Sequence, residues 1–293
     1  MGELMAIGAA LVWSFSVILF KRSSDMSPVG LNLLKNLVAI VLLALTMFAL
    51  STPFDWDRSN EDWALILVSG VFGISLADTL FFAALNRLGA GLLAVVECVY
   101  TPFVVLMSVF WLGEDPSDAF YVGTGAVFLG LLIATLDPKI RTDELAPNDF
   151  AWGVFFGVTA MATMAVGIVI VKPAIERSDL IEVTQLRLIF GAVGLVIWIG
   201  LRGIGREVLE VLRPGDHWAY MIPAAFLGAY LAMILWIGSM KYAPAAVAGV
   251  LSQTATVFTL LLSWWILKEH MTKRKLVGAF AAVVGAIIIG LYS

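Results

Sequence analysis

The sequence predicts an all-α integral membrane protein of ten transmembrane helices, arranged as two inverted five-helix repeats. Three observations lead to this prediction. The composition is 61% hydrophobic and only 14% charged, with a mean hydropathy of +0.96, which lies outside the range of water-soluble domains. Apolar stretches of about 20 residues recur along the chain, and each can cross a hydrocarbon core roughly 30 Å thick. The second half of the chain also repeats the first.

The ten predicted helices are apolar segments bounded by charges or turn residues. They cover residues 4–20, 29–50, 63–85, 88–112, 118–136, 150–171, 180–201, 217–239, 243–267 and 276–292. The connectors are short and polar, and none of them is long enough to hold a soluble domain. The first segment is followed by no small-residue cleavage site, so we expect a retained helix rather than a signal peptide.

The internal repeat is visible when residues 78–135 are laid on residues 233–290 at a constant offset of 155, without a gap. Glu114 then falls on Glu269, and a glycine-bearing span follows each of them. The unit is five spans. Because five is odd, the second copy enters the membrane with the opposite polarity, an arrangement that many secondary transporters use for alternating access.

These features resemble the drug/metabolite transporter superfamily, in its EamA branch. The resemblance rests on the ten spans, the five-plus-five duplication, residues 10–14 (ALVWS) and the Leu-x-Glu motif that occurs twice before a Gly-rich span. It covers essentially the whole chain, and we divide the chain into repeats 1–145 and 146–293 of one transport domain. The resemblance implies a central cavity between the halves, lined mainly by the first four helices of each half. Family substrates range over amino acids, nucleotide sugars, sugar phosphates and choline.

Architecture and resemblance together predict a secondary active transporter of a small metabolite in the cell membrane. We expect an amino-acid-like solute that is exported against inward proton movement. An exchanger of another small solute, such as a nucleotide sugar, a sugar phosphate or a choline-like compound, is the alternative. The net charge is only -4 and no long basic run occurs, so no nucleic-acid partner is expected. The chain is expected to be a monomer or a homodimer.

A membrane-embedded enzyme and a passive channel are the competing classes. An enzyme needs a nucleophile with its base, or metal ligands, at hydrophobic depth. The two histidines, His217 and His270, both fall at connector edges, and no selectivity-filter sequence is recognisable. We therefore expect no catalytic residues, no metal and no cofactor.

Three ionisable residues fall deep inside the first-half spans. Lys35, Asp78 and Glu97 lie about 10, 10 and 13 Å from span ends that face the same side of the membrane. Ionisable groups at such depth are costly and persist where they pair or serve a pathway. We predict a gating ion pair between Lys35 and Asp78. Because burial disfavours the charged form of a carboxylate, we assign Glu97 the role of proton carrier. A purely structural pair beside a permanently protonated Glu97 is the alternative.

The second half contributes Arg187, with Gln185 and Gln253 as polar neighbours in the other layer. Two cations and two carboxylates sum to zero, which suits a zwitterionic solute. Aromatic side chains inside the spans would offer a stacking or cation–π surface to a ring or an ammonium group. The candidates are Trp13, Phe15, Phe81, Phe82, Tyr100, Tyr230 and Trp236. The predicted substrate- and ion-binding residues are Lys35, Asp78, Glu97, Arg187, Trp13, Tyr100, Trp236 and Gln253.

Orientation and packing complete the prediction. Connectors 1, 3, 5, 7 and 9 carry twelve Lys and Arg residues and the others carry four, so both termini are predicted outside. Relatives of the family are usually drawn with both termini in the cytoplasm. Pairs of small residues four apart, Ala126 with Gly130 and Ala281 with Gly285, predict close helix packing within the monomer or at a dimer contact. Pro102 predicts a kink in the fourth span.

Overall fold

A computed structural model describes residues 1–23, 26–112, 118–135, 147–243 and 245–292, and each regular element in these ranges is a helix. Glu114 and the connector 136–146 lie outside them. The first-half elements are α1 Gly2–Lys21, α2 Pro28–Leu50, α3 Asn60–Gly70, the π-helix π1 Val71–Leu76, α4 Ala77–Leu88, α5 Ala90–Glu97, α6 Tyr100–Leu112 and α7 Asp118–Thr135. The second-half elements are α8 Pro147–Arg177, α9 Leu180–Arg202, α10 Gly205–Leu212, α11 Trp218–Ala225, the π-helix π2 Phe226–Ala232, α12 Met233–Tyr242, α13 Ala245–Ser252, α14 Thr254–Ile266 and α15 Lys273–Tyr292.

Within the described part of the chain, seven helical stretches are long and apolar enough to cross a membrane. They are Gly2–Lys21, Pro28–Leu50, Asn60–Leu88, Ala90–Trp111, Asn148–Arg177, Leu180–Arg202 and Trp218–Tyr242. Shorter apolar helices, Tyr121–Ala134 and Thr254–Ile266, accompany them. The chain is therefore an all-helical membrane protein with an internal repeat.

Local sequence signals account for several helix ends. The side chain of Ser59 accepts a hydrogen bond from the amide of Asp62 and begins α3, and Asp179 accepts from two amides at the start of α9. Side-chain oxygens at these positions satisfy amides that have no partner within the helix. Gly203 ends α9 with a φ of 66°, a left-handed conformation that glycine adopts without strain.

Two irregular features occur at equivalent positions in the two repeats. The π-helices π1 and π2 interrupt the third predicted span of each half, and the offset of 155 carries the first residue of π1 onto the first residue of π2. The fourth predicted span of each half is also discontinuous, at Cys98 and Val99 in one and at Gln253 in the other. Pro102 has no amide hydrogen to donate to the carbonyl of Cys98, four residues earlier. The helix break at Cys98 therefore lies where the kink predicted from Pro102 would be expected.

A short helix in the seventh connector was not predicted. Helix α10 buries Val208 and Val211 and leaves its charged residues facing outward. It rests on α2, where a side chain at Gly30 would place its Cβ 2.6 Å from Val211. Eight residues of amphipathic pattern between two long apolar segments are too few to stand out as a helix in the sequence.

Helices α7 and α15, which correspond to the fifth predicted span of each half, pack against each other. A Cβ added at Gly130 of α7 would lie 2.4 Å from the carbonyl oxygen of Gly278 in α15, and one added at Gly285 would lie 2.5 Å from that of Gly123. Residue numbers rise along one helix as they fall along the other, so the two helices are antiparallel. The predicted small-residue pairs therefore serve packing within the chain.

The first helix of each half reaches into the other half. Helix α1 packs against α12 and α14 of the second repeat, and α8 packs against α4 and α6 of the first. This exchange brings the third and fourth spans of both repeats around a common centre, where the candidate site lies.

Candidate functional site

A cavity of about 130 Å³ lies between the two halves. Its wall is largely apolar with a few polar groups, which is typical of small-ligand sites. Pockets for drug-sized ligands measure about 300 to 1,000 Å³, so this cavity suits a small solute in the conformation described. Seven of the predicted binding residues line it: Trp13, Lys35, Asp78, Glu97, Tyr100, Trp236 and Gln253.

The first polar feature of the wall is a buried ion pair. The Nζ atom of Lys35 lies 2.7 Å from Oδ2 of Asp78, and both residues are buried. The ammonium group also donates to Oδ1 of Asn36 at 2.9 Å. Removal of one partner from such a pair leaves an uncompensated buried charge, which is costly. The pair therefore joins α2 to α4 at the edge of the cavity.

A chain of side-chain amides behind this pair was missed by the sequence analysis. Nδ2 of Asn36 donates to Oδ1 of Asn32 at 3.1 Å, and Asn32 in turn donates to the carbonyl of Ile74 at 2.8 Å and to Oγ1 of Thr79 at 3.0 Å. Ile74 lies in π1, where the irregular helix leaves a carbonyl available to a side chain. Two asparagines four apart inside an apolar span were the available signal.

Glu97 is the last residue of α5 and stands at the discontinuity of the fourth span. Its Oε1 atom accepts a hydrogen bond of 3.2 Å from Nε1 of Trp13, whose ring packs against Phe81 at a centroid distance of 5.4 Å. Among the ion pairs of the described residues, none includes Glu97. The wall therefore holds one paired carboxylate and one carboxylate without a cationic partner.

The two discontinuities touch each other across the interface between the halves. Nε2 of Gln253 donates to Oγ1 of Thr101 at 2.7 Å, and Sγ of Cys98 lies 3.3 Å from Oγ1 of Thr256. The offset of 155 maps one contact onto the other. Gln253 was expected in a different layer from Glu97, but both residues line the same cavity because the discontinuities meet there.

Arg187 differs from the other predicted site residues because it is absent from the cavity wall. It lies behind Trp236, with its guanidinium carbon 5.8 Å from the ring centroid. Its Nε atom donates to Oγ of Ser69 at 2.8 Å, and the side chain is fully buried. In this conformation, one aromatic ring separates the arginine from the cavity.

Four of the aromatic candidates also lie elsewhere. Phe81 and Phe82 are buried in the core, Phe15 is 42% exposed, and the hydroxyl of Tyr230 lies 2.7 Å from that of Thr46. Periodicity within an apolar span does not separate a cavity-facing ring from one that fills the core or faces lipid. The remaining three, Trp13, Tyr100 and Trp236, form the aromatic part of the wall.

Comparison with known proteins gives a consistent result. The model of the EamA-like transporter family matches residues 1–136 and 151–291, one match in each half. An uncharacterized transporter of Synechocystis sp. is 20% identical over 257 residues, which cover 84% of this chain and 72% of the relative. An uncharacterized transporter of Archaeoglobus fulgidus is 22% identical over 289 residues, 98% of this chain and 96% of the relative. A solved crystal structure with 18% identity has a TM-score of 0.68 and shares the fold over 98% of this chain and 94% of its own.

Proposed function

We propose a function from one premise: the chain belongs to the EamA-like transporter family, whose model matches both of its halves. It is a multi-pass membrane transporter of a small molecule and not an enzyme. Beyond that, we propose a secondary active transporter that exports an amino-acid-like metabolite against inward proton movement. The observation that carries the proposal is the carboxylate of Glu97, which lines the cavity beside Trp13 and pairs with no cation among the described residues.

Ten transmembrane spans in two inverted repeats, 1–145 and 146–293, are part of this proposal. Three observations support it: the equivalent π-helices, the equivalent discontinuities, and the antiparallel packing of α7 on α15. Repeat partners that run in opposite directions are what an inverted duplication produces. The charge count adds the prediction that both termini face outside. A reporter fused after Ser293 that is active only in the cytoplasm would contradict this orientation.

The chemistry of the wall favours an ammonium-bearing solute. An ammonium group would meet the carboxylate of Glu97 and the face of an aromatic ring, both of which attract cations. A multiply phosphorylated solute would need cavity cations, and among the described lining residues Lys35 is already paired with Asp78. A choline-like solute is the second candidate, because three aromatic residues line the same cavity.

Proton coupling follows from the two states of Glu97. A deprotonated carboxylate attracts the substrate ammonium, and a protonated one loses that attraction, so proton binding on one side favours release of the substrate there. The charges of Lys35 and Asp78 cancel in both states. Alternation of the cavity between the two sides would then exchange one proton for one substrate.

The test is Glu97→Gln in proteoliposomes supplied with labelled amino acids. We expect the variant to lose accumulation driven by a pH gradient and to retain exchange of substrate at equal pH. Glu3→Gln, which changes an exposed carboxylate in the first turn of α1, serves as the matched control. Accumulation by E97Q at the wild-type rate would show that Glu97 is not the coupling group. Transport of nucleotide sugars without transport of any amino acid would overturn the substrate assignment.

A further inference from the structure

We propose that Arg187 and Tyr100 form a carboxylate subsite at Trp236, which receives the acid group of the substrate. The inference rests on the proposed function, since it supplies the second end of an amino-acid-like solute whose ammonium group is held at Glu97. It assigns two residues, one in the cavity wall and one behind it, to a single ligand group.

The first observation is a pair of buried polar atoms without partners. Nη1 of Arg187 and the hydroxyl of Tyr100 have no hydrogen-bond partner among the described residues. Arg187 is 2% exposed and Tyr100 is 6% exposed. A buried donor that is left unpaired is costly, and most such groups in proteins are satisfied. Two such donors, both on residues that pack against Trp236, are available to a ligand group that accepts hydrogen bonds.

The second observation is that both groups flank the same ring. The ring centroids of Tyr100 and Trp236 are 6.5 Å apart, and the guanidinium carbon of Arg187 lies 5.8 Å from the Trp236 centroid. Tyr100 and Trp236 both line the cavity. Each unpaired donor therefore belongs to a residue that packs against a ring that a substrate would touch.

The charge of Arg187 has no partner in an ion pair within the described residues, and Asp78 is paired with Lys35. A water molecule could accept a hydrogen bond from either donor but would leave the charge uncompensated. A carboxylate has two oxygens, so it can accept from a guanidinium nitrogen and from a phenol together. Nε of Arg187 donates its hydrogen bond to Oγ of Ser69, which fixes the orientation of the guanidinium group.

The spacing of the two subsites fits a small zwitterion. Tyr100 follows Glu97 by only three residues, across the break at Cys98 and Val99, and both residues line the cavity. Because Arg187 lies behind Trp236, the carboxylate reaches Nη1 when the Trp236 ring turns aside. Binding of the acid group should therefore change the surroundings of this tryptophan, while binding of an amine at Glu97 alone should not.

The experiment measures binding to the full chain in lipid nanodiscs by thermal shift and tryptophan fluorescence. The probes are the common amino acids together with amines that lack the carboxylate, such as phenylalanine with 2-phenylethylamine and leucine with 3-methylbutylamine. For Arg187→Gln we expect amino-acid affinity to fall roughly tenfold to a hundredfold, as loss of a charge-assisted hydrogen bond implies. For Tyr100→Phe we expect a fall of about fivefold. Affinity for the amines should change by less than about twofold in both variants.

Two further variants serve as controls for the loss of a hydroxyl group and for the loss of a charge. Tyr242→Phe removes a hydroxyl from an exposed tyrosine and should leave affinities unchanged. Arg187→Lys keeps the charge and should restore part of the amino-acid affinity. Amine binding by R187Q would show that it is folded. An equal loss for amino acids and amines would overturn the subsite and indicate a structural arginine. Binding of amines but no amino acids by the wild-type chain would also overturn it while leaving a transporter of amines. Binding of neither class would overturn the amino-acid assignment as well.

Discussion

At equivalent positions around the cavity, the first repeat presents charged side chains and the second presents neutral ones. Asp78 corresponds to Met233, and Glu97 corresponds to Ser252, and all four residues line the cavity. The contacts between α7 and α15 are alike in the two halves. The offset of 155 maps the contact of Gly130 with Gly278 onto that of Gly285 with Gly123, and glycine occupies all four positions. The two repeats therefore share the positions at which they pack, whereas the charged residues of the described cavity wall all come from the first repeat.

Physical reasons favour this asymmetry. The discontinuities of the fourth spans contact each other, so a glutamate at position 252 would bring a second carboxylate close to Glu97. Two carboxylates that share a low-dielectric site cannot both ionise readily. One acid, with a neutral serine opposite, leaves a single unpaired carboxylate, as the proposed role of Glu97 requires.

The largest expected effect comes from removing one charge of the buried pair. Asp78→Asn would leave the ammonium group of Lys35 buried without its partner and should destabilise the chain by about 3 to 5 kcal/mol. The double variant Lys35→Met with Asp78→Asn, which removes both charges of the pair, should recover most of this stability. Thermal unfolding in detergent would measure both. A single variant as stable as the wild type would show that the pair does not hold α2 to α4.

A smaller effect is expected where the two halves are alike. Gly130→Ala and Gly285→Ala each place a Cβ within 2.6 Å of the opposite helix backbone. Overpacking of this kind costs about 1 to 3 kcal/mol, and the two losses should be similar because the contacts are equivalent. Gly125→Ala on the same helix is the control, since nothing lies within 4 Å of its Cβ. Unequal losses of stability would show that the two ends of the α7–α15 contact do not contribute equally to the stability of the chain.

The sequence was sufficient for some of these features and not for others. Long apolar segments require helices in a bilayer, and buried charges require partners, so the apolar helices and the approach of Lys35 to Asp78 could be predicted. The position of Arg187 behind Trp236 could not, because it depends on which face each helix turns toward its neighbours. The π-helices likewise depend on tertiary contacts such as that between Asn32 and the carbonyl of Ile74.

The smallest expected effect concerns a contact that crosses from one half to the other. The carboxylate of Glu269, in the ninth connector, accepts hydrogen bonds of 2.8 Å from the amides of Ala90 and Gly91 at the start of α5. A negative charge at this end of a helix satisfies free amides and opposes the positive end of the helix dipole. Gly89, with a φ of 78°, leaves room for it, since a Cβ there would lie 2.8 Å from Oε1.

Glu269→Gln keeps one amide-facing oxygen and removes the charge, so we expect a loss of about 1 kcal/mol of cap stability. Because α5 ends at Glu97, the helix that carries the proposed proton carrier should fray from its other end. Hydrogen exchange of amides 90–93 should then accelerate by roughly fivefold, measured by mass spectrometry on peptides that cover α5. Glu210→Gln, at an exposed glutamate of α10, is the control and should leave these amides unchanged. If exchange in α5 is the same in E269Q and the wild type, the second half does not stabilise this helix through its ninth connector, and the acidic lining of the first half is held in place by its own contacts.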